Sequence, residues 1–304
     1  MREHVRLPPV GITTFKKILC PLDFSEPSKH ALEYATMLSN WYGASLTALQ
    51  VVGLPASPVP DVAVLATLTP ADLEAHSRDL RQFVEVSARG DCRANAVVRQ
   101  GAVVNEILAE AQTLPADLIV MGTHGLGGVE RFVLGSVTET ILRKAPCPVF
   151  TVPRGSVSAP LTPGPFRTIL VPVDFSPLSL DAVSLALSLA EESGKKLILL
   201  YVHDWPAERS VLPAVQADLR RTREAAVREL HAIIPPDARQ WCECAELTAT
   251  GHADEEILRV AGANSVDLIV MGVHSKNGIN VAVFGSTVNQ VVRAATCPVL
   301  TVRR

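Results

Sequence analysis

Apolar positions along this chain recur in two alternating rhythms. Short runs dense in Val, Ile and Leu are separated by longer stretches in which apolar residues return every three to four positions. The first rhythm marks strands buried on both faces, and the second marks amphipathic helices. In the first half the pattern predicts strands at Lys17–Leu22, Ser45–Val52, Cys92–Arg99, Asp117–Met121 and Pro148–Val152. Between the first two, Ser25 stands where an N-cap belongs, Pro27 falls in the first helical turn and Gly43 closes the helix. Thr69 and Pro70 open a second helix that Gly90 ends, Val103–Thr113 forms a third, and Ser136 caps a fourth through Lys144.

The pattern is written twice. "ILCPLDFS" at Ile18–Ser25 returns as "ILVPVDFS" at Ile169–Ser176, and "DLIVMG" at Asp117–Gly122 returns unchanged at Asp267–Gly272. "CPVFTV" at Cys147–Val152 returns as "CPVLTV" at Cys297–Val302. A whole domain is therefore duplicated, which is different from an array of short repeats. The boundaries read as 1–153 and 166–304, joined by a Pro/Gly/Ser-rich linker at 154–165. Strand–helix alternation in each copy predicts an α/β fold: two tandem, doubly wound, five-stranded parallel-sheet domains of Rossmann-like type.

In such sheets ligands bind beyond the carboxyl ends of the strands, where strand order reverses. A flavodoxin-like order with strands one and four as neighbours would bring two repeated loops to one crevice. One is "PLDFS" after strand one, and the other is "MGTHGLGGVERFVLGS" (Met121–Ser136) after strand four. The second loop holds five glycines in sixteen residues and runs into a helix. A helix N-terminus offers unpaired N–H groups and partial positive charge, and glycines let backbone approach a phosphate closely. The competing reading is that the glycines only turn the chain and Ser136 only caps its helix. The spacing fits neither a P-loop nor the dinucleotide-binding glycine fingerprint.

The order is instead Gly122-x-x-Gly125, nine residues, then Gly135-Ser136. With "PLDFS", "PVDFS", "DLIVMG-x-H" and "CPV", this resembles the nucleotide-binding motif of the universal stress protein (UspA) family across both halves. The resemblance implies an adenine nucleotide alpha hydrolase-like fold and ATP as ligand, with ADP or AMP as alternatives and Mg²⁺ as a companion ion. It implies that Asp23 and Asp174 lie against the nucleoside, and that Val51 and Val202 read adenine through their backbone. It assigns ribose and phosphates to Gly122, Gly125, Gly135 and Ser136, and in copy two to Gly272, Gly285 and Ser286. Val137 and Thr287 begin the helices and offer amide N–H groups. Copy two departs from the motif at Ser275, where the family has glycine, so the two copies are expected to differ. Lys276 beside it reads as a phosphate partner or a solvated loop charge. His124 and His274 recur at the site, where a structural hydrogen-bonding role is the simpler reading. Arg131 in the first loop has Val281 as its counterpart.

Composition narrows the function. Hydrophobic residues make up 48%, charged residues 19%, and the net charge is −3, which gives no basic face for nucleic acid. No uninterrupted apolar span is found: Ala44–Pro70 carries only Asp61 as a charge, but four prolines break it. With no secretory leader pattern and six scattered cysteines, cytoplasm is the expected compartment. Cys20, Cys147 and Cys297 read as small core residues. Cys242-Glu243-Cys244 sets two thiols on one strand face without completing four metal ligands. No positioned base or metal cluster specifies an efficient enzyme. The expected function is a nucleotide-responsive stress module, with a slow ATPase and a dimerising scaffold as alternatives. The short apolar last strands predict an internal pseudo-dimer, and the apolar stretch Leu54–Leu68 a core cover or a contact within a homo-oligomer.

Overall fold

A computed structural model of the chain describes residues 15–53, 68–88, 93–125, 134–154, 166–193, 196–203, 213–273 and 285–303. The chain divides into two compact units, one spanning Thr14–Leu161 and the other beginning at Thr162. The expected sites Ser275 and His274, with Lys276, Arg131 and Val281, lie outside the described residues, as does all of Leu54–Leu68 except Leu68.

The first unit runs β1 (Lys17–Leu22), α1 (Glu26–Tyr42), β2 (Ser45–Val52), α2 (Pro70–Ser87), β3 (Ala94–Gln100), α3 (Val103–Thr113), β4 (Leu118–Gly122), α4 (Ser136–Lys144) and β5 (Val149–Val152). Its strands pair in parallel in the order β3-β2-β1-β4-β5. The flavodoxin-like order is thus corrected to the arrangement of a Rossmann half. The consequence that mattered survives, because β1 and β4 are neighbours and strand order reverses between them. The second unit runs β6 (Thr168–Pro172), α5 (Pro177–Ser193), β7 (Lys196–His203), α6 (Pro213–Ile233), a single turn α7 (Ala238–Trp241), β8 (Glu243–Thr250), α8 (Ala253–Ala263), β9 (Leu268–Gly272), α9 (Ser286–Ala294) and β10 (Val299–Val302). Its parallel order is β8-β7-β6-β9-β10.

The central strands are buried on both faces, as the unbroken apolar runs require. Ile18, Leu19, Leu118, Ile119 and Val149 have no exposed surface in the first unit, nor have Leu170, Leu268 and Ile269 in the second. Cys20, Cys147 and Cys297 are buried, in keeping with core packing. The Asp that opens each "DLIVMG" repeat faces away from the crevice, at the amino end of the sheet. Asp117 accepts from the Lys16 and Lys17 amides at 2.8 and 3.1 Å, and Asp267 accepts from the Arg167 and Thr168 amides at 2.7 and 3.1 Å. Each carboxylate clips the start of one strand to the start of its neighbour. Such bonds to a charged group are each worth about 1.5–3 kcal/mol.

Helix ends follow local chemistry. Ser25 caps α1 by accepting from the Ser28 amide, and Gly43 closes it at φ 63°, a conformation glycine adopts without a Cβ penalty. Thr69 and Asp72 form a reciprocal capping box on α2. Among the described residues no helix is long and apolar enough to cross a membrane.

Candidate functional site

The turn after β1 is strained in both units. Phe24 and Phe175 take φ of 63° and 61°, a left-handed conformation that costs a bulky side chain on the order of 1–3 kcal/mol. Ring packing offsets part of this, with Phe24 5.0 Å from Phe83 and Phe175 5.5 Å from Tyr201 between centroids. The kink sets the preceding carboxylate. Asp23 Oδ1 accepts from the Ser25 amide at 3.1 Å and from its hydroxyl at 2.5 Å, and Asp174 accepts from the Ser176 amide at 3.0 Å. A side chain so held is preorganised rather than swinging in solvent.

The loop after β4 meets that carboxylate. A Cβ built on Gly125 would lie 2.5 Å from Asp23 Oδ2, so glycine is what allows the two loops to touch. At the end of β4, a Cβ on Gly122 would lie 3.0 Å from the Pro27 carbonyl oxygen, which lets α1 pack directly on the strand. Gly135 returns to this point, its amide donating to the Thr123 carbonyl at 2.9 Å. Thr138, in the first turn of α4, donates its hydroxyl to the Gly122 carbonyl at 2.9 Å. These two bonds fix the start of α4 over the end of β4.

The sequence expectation for Ser136 needs one correction. Gly135, in an extended conformation, is the N-cap, and Ser136 is the first helical residue with an exposed side chain. No side chain caps α4, whereas Ser25 and Thr69 cap α1 and α2. A helix start without a side-chain cap keeps its amide donors for another partner.

These elements enclose a cavity of about 610 Å³, within the range that holds small-molecule ligands. Every site residue predicted in copy one lines it: Asp23, Val51, Gly122, His124, Gly125, Gly135, Ser136 and Val137. Its apolar wall comes from Leu22, Leu49, Val103, Ile107, Met121 and Leu134. Strand and helix periodicity marks these as core, and nothing in one dimension says that they face a hole. Thr138 and Glu139 were also missed; the "GSVTE" order after Gly135 was the available signal. Among the described lining residues the charged side chains are Asp23 and Glu139, and Glu139 is turned onto Arg143 at 2.6 Å.

His124 is buried, with Nδ1 2.9 Å from the Thr123 hydroxyl. That contact fits a structural histidine better than a proton-transfer group. In copy two, Asp174 and Ser286 are exposed, Val202 and Thr287 are half-buried, Gly272 ends β9 and Gly285 directly precedes α9. Among the described residues no group of three or more His, Cys, Asp or Glu side chains is arranged to hold a metal.

The universal stress protein family model matches residues 14–153 and again 165–303. The chain belongs to the universal stress protein family. A universal stress protein of Methanocaldococcus jannaschii is 32% identical over 143 residues, covering 47% of this chain and 84% of its own. One of Mycolicibacterium smegmatis is 24% identical over 291 residues, 94% of this chain and 96% of its own, so the tandem arrangement is shared. The solved universal stress protein of Archaeoglobus fulgidus superposes with a TM-score of 0.65 at 22% identity, over 95% of this chain and 98% of that one. This last likeness speaks to fold alone. Within the family, the two copies here are unequal at the motif: copy one has Gly125 where copy two has Ser275.

Proposed function

We propose that the first copy is an adenine-nucleotide binding module, with ATP as its ligand, acting in the cytoplasm as a regulatory element of the stress response. The observation that carries the reading is the convergence on one cavity of a held carboxylate, a glycine loop and a helix start without a side-chain cap. The cavity chemistry matches the three parts of a nucleotide. The apolar wall of Leu49, Ile107 and Met121 suits a flat base, whose edge the backbone of Val51, also in the lining, would read. Asp23, fixed by Ser25, suits the ribose hydroxyls, which donate to a carboxylate. The Ser136 and Val137 amides and the Ser136 hydroxyl suit phosphate oxygens at the positive end of α4.

The residues also fit a Mg²⁺ ion carried with the phosphates. Two carboxylates are the charged groups among the described lining residues, so a cation arriving with the ligand offsets charge these side chains do not neutralise. Glu139 is already balanced by Arg143. The reading is one of binding, with occupancy setting the shape or partners of the chain. Denaturing the purified protein and identifying released small molecules by absorbance and mass tests it. Adenine nucleotide is the expected product. Protein that binds none when ATP and Mg²⁺ are supplied would leave a scaffold role.

A further inference from the structure

A second chemical feature lies far along the chain from the glycine loop, at the outer strand of the second unit's own five-stranded order. Cys242 is the residue between α7 and β8, and Cys244 is the second residue of β8. Two residues apart in extended backbone, their side chains leave the same face of the strand. Cys242 is buried and Cys244 is half-buried, so one thiol is sheltered and the other reachable. The Cys244 thiol donates to the Cys242 carbonyl at 3.6 Å, and the Cys242 thiol donates to the Glu243 carbonyl at 3.8 Å. The next residue on this face, Glu246, is bonded by Arg239 of α7 and lies 3.2 Å from Nδ1 of His231 on α6, which is itself 2.9 Å from Arg239. Arg239 therefore sits with its charge beside Cys244 on an otherwise ordinary sheet edge.

We propose that Cys244 and Cys242 form a peroxide-sensitive dithiol, Cys244 attacking and Cys242 resolving. Cys244 thiolate attacks one oxygen of a hydroperoxide such as hydrogen peroxide. The S–O bond forms, the O–O bond breaks, and the hydroxide released takes up a proton as water. Cys242 sulfur then attacks the sulfenic sulfur, forming the S–S bond and expelling the second hydroxide, which takes the Cys242 proton. Two thiols and one hydrogen peroxide yield one disulfide and two waters. The assignment of roles follows the surroundings of each sulfur. Once Cys244 is ionised, its sulfur takes the Cys242 proton in a hydrogen bond in place of the Glu243 carbonyl; that bond, with Arg239 adding to it against partial burial and Glu246, holds the Cys244 thiol below its ordinary value. The same hydrogen bond, then burial, pushes the Cys242 thiol up. A lowered, accessible thiol is the one that oxidises first.

The backbone adds a second property. Cys242 is extended, at φ −132° and ψ 133°. The strand rise then separates the two Cα atoms by roughly 6.7 Å, near the upper limit a disulfide tolerates. Closing the bridge bends the chain at Glu243, where β8 starts to pair with Lys196 of β7. A bridge formed under such strain is readily reduced, as a reversible modification must be.

The test uses the full chain in a Cys92→Ser background, since Cys92 lies outside the described residues. Reduced protein is exposed to hydrogen peroxide, alkylated and digested. The peptide holding Cys242 and Cys244 is expected to lose both free thiols as an internal disulfide that dithiothreitol reverses. Cys20, Cys147 and Cys297 serve as buried references, and Cys297 is pushed up to about 12 by burial. Cys242→Ser should stop at a sulfenic acid captured by a β-diketone probe. Cys244→Ser should slow oxidation of the peptide by about tenfold or more. Arg239→Gln should slow sulfenic acid formation without changing the far-ultraviolet spectrum. Oxidation of Cys244→Ser at the wild-type rate, or both thiols surviving peroxide as well as the buried references do, overturns the proposal.

Discussion

The two copies share one plan and differ where the ligand would sit. Both hold a strained Phe after the first strand, an Asp–Ser contact at about 3 Å and an Asp clip between neighbouring strands. In copy one, a Cβ on Gly135 would lie 3.2 Å from the Thr123 carbonyl, and Thr138 ties α4 to Gly122. In copy two, a Cβ on Gly285 would meet nothing within 4 Å among the described residues, and Val288 stands where Thr138 would. Val273 likewise replaces Thr123, which removes the hydroxyl that bonds His124 in copy one. The lesson is that duplication kept the residues that build the sheet and released those that tie the glycine loop. Fold and site have been separated within a single chain.

The most disruptive way to sharpen that contrast is at the glycines that both copies kept. A Cβ on Gly272 would lie 2.6 Å from the Leu178 carbonyl oxygen, against 3.0 Å for Gly122 and the Pro27 carbonyl oxygen. Gly272→Ala is expected to destabilise its unit by about 3 kcal/mol, at the upper end for overpacking, and Gly122→Ala by nearer 1 kcal/mol. Denaturant unfolding of the two variants checks the order. Equal losses would show that the α5 turn gives way more easily than its backbone contact implies.

Next in size is the substitution that writes copy two's residue into copy one. Gly125→Ser sets a Cβ 2.5 Å from Asp23 Oδ2, and overpacking of about 1–3 kcal/mol corresponds to roughly a fivefold to hundredfold loss of nucleotide affinity. Ser136→Ala removes one hydrogen bond to a charged ligand and should weaken binding by about tenfold. Equilibrium dialysis with labelled ATP separates these from wild type. An unchanged affinity for Gly125→Ser would detach Asp23 from the site.

The smallest effect concerns the strand clip of copy two. Burial pushes the Asp267 carboxyl above its ordinary 3.8, against the pull of the Arg167 and Thr168 amides. The folded unit then holds this proton more tightly than the unfolded chain. Its contribution is fully present below pH 3.8 and is lost as pH rises through the raised folded value. Asp267→Asn should abolish that part of the slope while leaving the rest of the pH profile intact.

Much of this was legible in one dimension. The strands at Lys17–Leu22 and Ser45–Val52 carry nearly continuous apolar runs, and Ser25, Thr69 and Gly43 act at helix ends through local chemistry that needs no tertiary contact. The glycine spacing likewise drew attention to residues that line one cavity. Strand order was not legible, because periodicity says which face is buried and not which strand lies alongside. Ser136 was misassigned by one position since a Gly-Ser pair offers two candidate caps, and the extended Gly135 takes the role. Phe24 was beyond reach for a different reason: an aromatic residue at positive φ is tolerated here by packing on Phe83, sixty residues or so downstream. The apolar wall at Ile107 and Met121 looks like any core until the helix and strand are assembled.

Calorimetric titration of the full chain with ATP and Mg²⁺ bears most directly on the central claim, that the first copy's cavity holds an adenine nucleotide and the second copy's loop does not match it. Saturation near one nucleotide per chain, with an affinity weakened by Gly125→Ser and unchanged by Gly285→Asp, is the predicted result. No binding by the wild-type chain, or binding that survives Gly125→Ser and disappears with Gly285→Asp, would contradict it.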